Sequence, residues 1–145
     1  MHPYPHSYVV AARGENSGSV TVAAQDLPDL ETAPPPQFDG PGGQWSPETL
    51  LCAAVADCFI LTFRALARAG RLDWRRLECR VDGNLERVDR VPQFTAFKSI
   101  ATLHVPPGTD VARASKLLEQ AEHGCLVANS LRARRALETQ VIVEG

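Results

Sequence analysis

The sequence has no surplus of basic charge. Its 145 residues include 15 Lys and Arg against 17 Asp and Glu, which gives a formal net charge of -2. One basic cluster, Arg132, Arg134 and Arg135, is expected to form a solvated helix end. Because nucleic-acid recognition requires a basic patch or stripe, nucleic acid is not an expected partner.

An apolar leader and a long uninterrupted apolar run are also absent. The first six residues, MHPYPH, contain neither the basic nor the apolar region of a signal peptide. The longest nearly apolar stretch, 50–63, is interrupted by Asp57 and Thr62. We therefore expect a soluble, cytoplasmic protein without a membrane span.

Closely spaced cysteine pairs are missing as well. The four cysteines, at positions 52, 58, 79 and 125, do not form the Cys-x-x-Cys pattern of a redox or zinc site. A static disulfide framework is not expected in a cytosolic chain. Each thiol is therefore either buried and inert or reactive, and the surrounding residues must decide which.

The patterns along the chain predict a single α+β domain spanning residues 1–145. Two β-rich segments on either side of a glycine-containing turn predict a hairpin. A stretch rich in Pro and Gly predicts a long loop without helix or central strand. The predicted elements are the hairpin at 7–12 and 20–24, the loop at 27–45, a helix at 46–69, strands at 76–89 and 94–105, a helix at 110–124, a short helix at 127–135 and a strand at 138–143.

The helix beginning at residue 46 has a well-defined start. Ser46 suits the N-cap, Pro47 suits the first helical position, and Glu48 lies near the positive end of the helix dipole. Apolar residues cover most of the helix circumference up to Ala69, before Gly70. This distribution predicts a central helix that is buried on all sides.

Taken alone, the residues around Cys58 favour a space-filling role. A thiol within a buried helix is usually inert, because burial disfavours the thiolate. Cys52 is about 240° around the helix axis from Cys58, so these two thiols cannot pair. Cys79 alternates onto the apolar side of a strand and is also expected to fill the core.

Four further side chains need an interpretation of their own. His123 could bind zinc together with Cys58 and Cys125, but no further clustered ligands complete a tetrahedral site, and an interaction with the helix dipole is the favoured interpretation. His104 is expected to be a half-exposed strand residue. In the loop, Phe38 and Trp45 either line an apolar entrance or anchor the backbone.

Two segments resemble one known family. SPETLLCAAVADCFILTFRALA, residues 46–67, resembles the central-helix motif of the OsmC/Ohr superfamily, the osmotically inducible and organic hydroperoxide resistance proteins. LLEQAEHGCLVANSL, residues 117–131, resembles the second cysteine segment of the same superfamily. The chain departs from the family pattern at Asp57, Leu126 and Ala128, where a small neutral residue, proline and serine are common.

The resemblance implies an OsmC-like fold, with a long central helix packed on antiparallel β-sheet in an intertwined homodimer. It also implies a thiol-dependent peroxidase that reduces organic hydroperoxides. Cys58 would attack the peroxide, and Cys125 would resolve the resulting sulfenic acid as a disulfide. No bound cofactor is implied, because an external dithiol reductant of lipoyl type would reset the pair.

Two more residues receive roles from the resemblance. Glu48 matches a family glutamate at the start of the helix, and Arg13 occupies the hairpin position of an arginine that stabilises the thiolate. Arg64, the competing cation, lies well around the helix from Cys58. Glu48 and Cys58 are about 15 Å apart along a helix, too far for one guanidinium to touch both comfortably. A second chain is therefore expected to complete an interfacial active site.

A different class of function remains open from the sequence. A non-enzymatic stress protein with an OsmC-like fold could bind a hydrophobic ligand while both cysteines stay buried. Rapid alkylation of Cys58 near neutral pH distinguishes the peroxidase from the binding protein.

Overall fold

The computed structural model describes every residue from Met1 to Gly145. The chain forms two compact units, residues 1–50 and 51–145. A single domain spanning residues 1–145 remains a prediction.

The first unit contains a three-stranded antiparallel sheet in the order β1-β2-β3. The strands are β1 (Ala11–Arg13), β2 (Val20–Ala23) and β3 (Leu30–Thr32), so the predicted hairpin is confirmed. The predicted loop is less irregular than expected, because β3 and a single 3-10 turn, Pro36–Phe38, lie within it. The strand is tolerated near the prolines because it forms an edge of the sheet.

Helix α1 (Pro47–Ala69) begins as predicted. The Thr49 amide donates to Ser46 Oγ at 3.1 Å, and the Ser46 amide donates to Thr49 Oγ1 at 2.9 Å. Because each side chain satisfies the other residue's backbone donor, the pair acts as a capping box. Ser46 itself is only 1% exposed, which protects these hydrogen bonds from water.

The second unit contains a three-stranded mixed sheet in the order β4-β5-β6. Strands β4 (Arg76–Val88) and β5 (Val91–Val105) form a long antiparallel hairpin, whereas β6 (Arg134–Val143) pairs with β5 in parallel. Asp89 and Arg90 connect the hairpin with φ values of 50° and 68°. Two consecutive positive φ angles are typical of a type I′ turn, which matches the twist of the flanking strands.

Two further helices follow the hairpin. Asp110 caps α2 (Val111–Gly124) by accepting a hydrogen bond from the Arg113 amide at 3.1 Å, which confirms the predicted helix. The predicted short helix is present as α3 (Leu126–Asn129), but it ends well before the predicted residue 135. The end of that segment joins β6 instead, because Arg134 and Arg135 pair with Ala96 and Phe97 of β5.

The core of the second unit buries one narrow stripe of α1. The fully or nearly fully buried residues of the helix, at intervals of one helical turn, are Val55, Phe59, Phe63 and Ala67. Leu61, by contrast, is 50% exposed, so the prediction of a helix buried on all sides does not hold within one chain. By length and composition α1 could cross a membrane, but a core helix passes the same test, and this stripe packs in the protein core.

His104 differs from its predicted environment. It is 9% exposed rather than half-exposed, because it lies at the end of the central strand β5. Its Nε2 atom is 3.1 Å from the Arg76 guanidinium, and its Nδ1 atom is 2.8 Å from a Glu144 carboxylate oxygen. The hydrogen bond with Arg76 thus compensates the burial of Nε2, whereas Nδ1 is close to Glu144 but makes no hydrogen bond of suitable geometry.

Candidate active site

Cys58 lies in the middle of α1, beside the buried stripe. Its side chain is partly exposed, whereas that of the next residue, Phe59, is fully buried. One turn further along, the Thr62 hydroxyl is 3.9 Å from Cys58 Sγ. Asp57 is exposed and forms no ion pair, so the helix directs its carboxylate to solvent while Cys58 packs inward.

Cys125 lies at the junction of α2 and α3, directly against α1. It is fully buried, and its Sγ atom is 4.0 Å from the backbone oxygen of Val55. Cys58 packs against the same apolar cluster, and it is close enough to Cys125 to help raise the pKa of that thiol. The fold of the second unit therefore brings together the two cysteines that the sequence predicted as a catalytic pair.

Burial controls the protonation of Cys125. Burial, together with the nearby Cys58 and Glu122, raises the pKa of the Cys125 thiol to about 11, against an opposing hydrogen bond from the Ala128 backbone. Each of these acidic neighbours disfavours a second negative charge. At neutral pH Cys125 is therefore a protonated thiol, and the Val55 backbone oxygen lies 4.0 Å from its sulfur as an acceptor.

Arg135 holds the segment around Cys125 in place. Its Nε atom donates to Glu122 Oε1 at 2.8 Å and its Nη1 atom donates to Asn129 Oδ1 at 2.6 Å, while Nη2 donates to the Glu122 backbone oxygen. Asn129 also donates to the His123 backbone oxygen at 3.0 Å. We call Arg135, Glu122 and Asn129 the arginine clasp, since they join strand β6 to the residues on both sides of Cys125.

The clasp corrects the expectation that all three arginines of the basic cluster are solvated. Arg132 and Arg134 are exposed, but Arg135 lies in β6 and its side chain is only 25% exposed. Its partner Glu122 is 14% exposed. A charged pair with such limited access to water depends on close hydrogen bonding.

The first unit contains the other two predicted site residues, Arg13 and Glu48. Arg13 lies in β1 with a side chain that is 73% exposed, and its guanidinium is 3.9 Å from Asp29. Glu48 has one carboxylate oxygen, Oε2, that is buried without a hydrogen-bond partner. Arg13 and Glu48 are therefore not paired with each other in this structure, and their functional roles remain predictions.

An apolar pocket of about 440 Å³ lies within the first unit, next to Glu48. Phe38 lines this pocket, whereas Trp45 does not. Trp45 instead anchors the loop, because its backbone bridges to Thr32 and its carbonyl accepts a hydrogen bond from Ala33 at 3.0 Å. Of the two roles that the sequence left open, Phe38 therefore lines the apolar pocket and Trp45 anchors the loop through its backbone.

Comparison with known proteins places this arrangement in a family. Residues 40–140 match the family model described as OsmC-like protein. The chain belongs to the OsmC-like protein family. Its long helix and mixed α+β architecture match solved OsmC-like structures, which confirms the predicted α+β, OsmC-like fold. The sheet of the second unit is mixed rather than wholly antiparallel, because β6 pairs with β5 in parallel, and the intertwined homodimer remains a prediction.

Relatives of this OsmC-like chain include one curated protein and several structures. The uncharacterized protein YmaD of Bacillus subtilis is 29% identical over 76% of this chain and 75% of its own length. An OsmC-like protein of unknown function from Vibrio cholerae has a TM-score of 0.80 at 17% identity, covering 95% of this chain and 100% of the other. An organic hydroperoxide resistance protein from Elizabethkingia anophelis has a TM-score of 0.77 at 17% identity, covering 99% and 100%.

The remaining cysteines of this OsmC-like chain have inert surroundings. Burial is the main cause that raises the pKa of Cys52, and its sulfur lies against Gly83. Burial, together with the charges of Glu122 and Cys125, raises the pKa of Cys79 to about 12. Both thiols pack against apolar clusters, as expected of residues that fill space.

A zinc site at Cys58, Cys125 and His123 has no support in the geometry. His123 Nδ1 is 2.9 Å from the Glu119 backbone oxygen, one turn earlier on α2, and so makes a local helix contact. No group of three His, Cys, Asp or Glu side chains in the chain is arranged to hold a metal ion. The helix-end interpretation of His123 is the one that fits its contact.

Sequence reasoning missed the arginine clasp and the position of Cys79 near Cys125. Arg135 and Glu122 are well separated along the chain, and only the parallel pairing of β6 with β5 brings Arg135 to the end of α2. The sequence carried no local signal for this pair, because the burial of Glu122 becomes visible only in the structure.

Proposed function

We propose that this protein is a thiol-dependent peroxidase that reduces organic hydroperoxides through Cys58 and Cys125. The observation that carries the proposal is the pairing of a partly exposed thiol with a fully buried one in a single apolar cluster. Membership of the OsmC-like family supports a redox role, as do structural neighbours described as organic hydroperoxide resistance proteins from Legionella pneumophila and Elizabethkingia anophelis.

The first step takes place at Cys58. Its thiolate attacks the terminal oxygen of the hydroperoxide, the O–O bond breaks, and Cys58 becomes a sulfenic acid. The leaving alkoxide takes up a proton and departs as the alcohol. Two electrons pass from sulfur to the peroxide, so the substrate is reduced while Cys58 is oxidised.

The second step uses the proton that Cys125 retains. Its sulfur attacks the sulfenic sulfur, a disulfide forms, and the sulfenic oxygen leaves as water with the thiol proton. An external dithiol then restores both thiols by exchange and leaves as its own disulfide. Because Cys58 and Cys125 pack in the same apolar cluster, the two sulfurs start this step as neighbours.

We further propose that Arg13 supplies the cation that makes Cys58 a thiolate, from a second copy of the chain in a homodimer. Within the second unit, the polar partners of Cys58 are Thr62 and Cys125, neither of which is positively charged. Arg13 has only a long, exposed ion pair to Asp29, which contributes little stability. Glu48 of the copy that supplies Arg13, rather than Glu48 of the copy that supplies Cys58, would gain a hydrogen bond to its buried, unpartnered oxygen from this arginine.

The apolar surface of α1 also supports the homodimer. Only one stripe of the helix is buried within the chain, although apolar residues surround most of its axis. A second copy would cover exposed residues such as Leu61. We place the protein in the cytoplasm, where dithiol reductants keep such a cysteine pair reduced between turnovers.

Turnover of an alkyl hydroperoxide tests the mechanism. We expect wild-type protein to consume cumene hydroperoxide continuously with dihydrolipoamide as reductant. Cys58→Ser should show no consumption above the uncatalysed rate, and Cys125→Ser should consume about one equivalent before stopping. Cys52→Ser is the matched control and should retain turnover. Unchanged turnover in Cys58→Ser would refute the proposal.

A second candidate function rests on the apolar pocket of the first unit. A pocket of about 440 Å³ lined almost wholly by apolar groups suits a hydrophobic ligand. If the protein only binds such a ligand, Cys58 should react with iodoacetamide at pH 7 no faster than Cys52. Reaction at least tenfold faster at Cys58 favours the peroxidase.

A further inference from the structure

A second pocket, in the larger unit, combines an apolar wall with two unpaired arginines. It measures about 420 Å³, a size in the range of small-molecule sites. We call it the arginine pocket. It is formed by residues near the turn of the β4-β5 hairpin, by the first turns of α1, and by the segment that leads into the first residue of β6. Its lining residues are Leu51, Val88, Gln93, Phe94, Thr95, Phe97, Leu131, Arg132, Ala133 and Arg134.

The apolar wall of the arginine pocket is preformed. The rings of Phe94 and Phe97 are stacked with their centroids 5.0 Å apart. Phe97 is 4% exposed, which fixes its ring against the core. An aliphatic chain placed on this wall would bury its own surface without requiring the aromatic residues to become ordered first.

The charges of the arginine pocket all have one sign. Arg132 and Arg134 are exposed, and neither makes a salt bridge or a side-chain hydrogen bond, in contrast to Arg135 between β6 and α2. No acidic residue lines the pocket. Of the lining residues, Thr95 donates a hydrogen bond to a carboxylate, that of Glu86, which is not itself part of the lining. The site therefore offers two guanidinium groups to an anion, and a carboxylate fits their planar donors.

The arginine pocket shares its wall with the cluster that contains the thiols. Leu51, Phe94 and Leu131 line the pocket and also pack against the cluster that buries Cys125. Phe97 belongs to both as a buried member. An occupant would thus contact residues that surround the cysteine pair, although binding itself requires no redox chemistry.

We propose that the arginine pocket binds a medium-chain carboxylate, with its chain against Phe94, Phe97 and Leu51 and its head group at Arg132 and Arg134. A neutral chain lacks the ionic partner, and a short carboxylate such as acetate lacks the apolar contact. Binding therefore requires both the negative head group and the aliphatic chain of the ligand. This site is independent of the peroxidase proposal, because its occupant need not carry a peroxide.

Calorimetric titration of the reduced, full-length protein with decanoate tests the site. We expect saturable binding of decanoate, at least tenfold weaker binding of 1-decanol and of acetate, and weaker decanoate binding at high salt. The variant Arg132→Gln/Arg134→Gln should bind decanoate at least tenfold more weakly. Arg68→Gln/Arg71→Gln removes two exposed, unpaired arginines elsewhere and should leave the decanoate Kd unchanged.

Three results would overturn the proposal. One is equal affinity for decanoate and 1-decanol, which would indicate an apolar pocket without a head-group site. Another is equal weakening by both double variants, which would indicate a general effect of net charge. The third is an absence of decanoate binding together with a change in oligomeric state of Arg132→Gln/Arg134→Gln, which would show that a second copy covers this face. None of these measurements involves turnover, so their outcome does not depend on whether the protein is active in the peroxidase assay.

Discussion

Replacing Arg135 by Met should destabilise the second unit and slow disulfide formation together. The substitution keeps an unbranched side chain but removes three donated hydrogen bonds, two to Glu122 and one to Asn129. Glu122 is left with 14% exposure and without a cation. Hydrogen bonds to charged groups contribute about 1.5–3 kcal/mol, and removing one partner of a buried pair costs about 3–5 kcal/mol.

Because the arginine clasp is partly exposed to water, the free-energy cost of losing Arg135 should be lower than for a fully buried pair. The Arg135 side chain is 25% exposed, so water can solvate part of the charge that Glu122 retains. We therefore expect a loss of about 2–3 kcal/mol in the free energy of unfolding, measured by urea denaturation. For a chain of this size, about 1 kcal/mol changes Tm by roughly 2–4 °C or somewhat more, so Tm should fall by about 5–10 °C.

The kinetic effect follows from the position of Cys125 between the two ends of the clasp. Without Arg135, the α2-α3 junction loses its attachment to β6, and the Cys125 sulfur spends less time beside Cys58. Stopped-flow measurement with one equivalent of peroxide, at a temperature where the variant is folded, should show slower disulfide formation but unchanged sulfenic acid formation.

A surface ion pair provides the control for the clasp. Arg80 is 2.8 Å from Asp82, but their side chains are 75% and 45% exposed, so Arg80→Met should cost at most about 1 kcal/mol. The reasoning is refuted if Arg135→Met unfolds within about 0.5 kcal/mol of wild type, or if both variants lose the same stability.

Other substitutions test the packing, the helix cap and the thiols. Gly83→Ala places a Cβ 2.6 Å from Cys52 Sγ and should cost about 1–3 kcal/mol in urea denaturation, with partial recovery in Gly83→Ala/Cys52→Ala. Ser46→Ala removes the cap of α1 and should cost about 1 kcal/mol by the same assay, and an unchanged midpoint would argue against the cap. Burial raises the pKa values of Cys125 and Cys79 to about 11 and about 12, so between pH 9 and 11 these thiols ionise in the unfolded chain but not in the native one. Stability should therefore fall as pH rises through that window, and it should fall less steeply in Cys79→Ala.

The elements with local signals were predictable from the sequence. The start of α1 depends on Ser46 and Pro47, whose capping chemistry involves only adjacent residues, and the structure confirms it. The β4-β5 hairpin likewise follows from alternation of apolar and polar residues on both sides of Asp89. These features require no knowledge of distant parts of the chain.

The features that depend on tertiary pairing were not predictable in the same way. Strand β6 begins at Arg134 because it pairs with β5, and a run of arginines gives no local strand pattern. For the same reason the partner of Arg135 could not be named. The proximity of Cys58 and Cys125 was predicted from resemblance to the family, since their spacing alone favoured two unrelated thiols.

The unequal burial of the two thiols determines which of them meets an oxidant first. Cys125 has no exposed surface, whereas Cys58 is partly exposed, so a peroxide arriving from solvent reaches Cys58 before Cys125. A protonated, inaccessible sulfur is also protected from stepwise oxidation to sulfinic and sulfonic acids. Damage by excess peroxide should therefore accumulate at Cys58, and the buried thiol should survive in protein whose turnover has ceased.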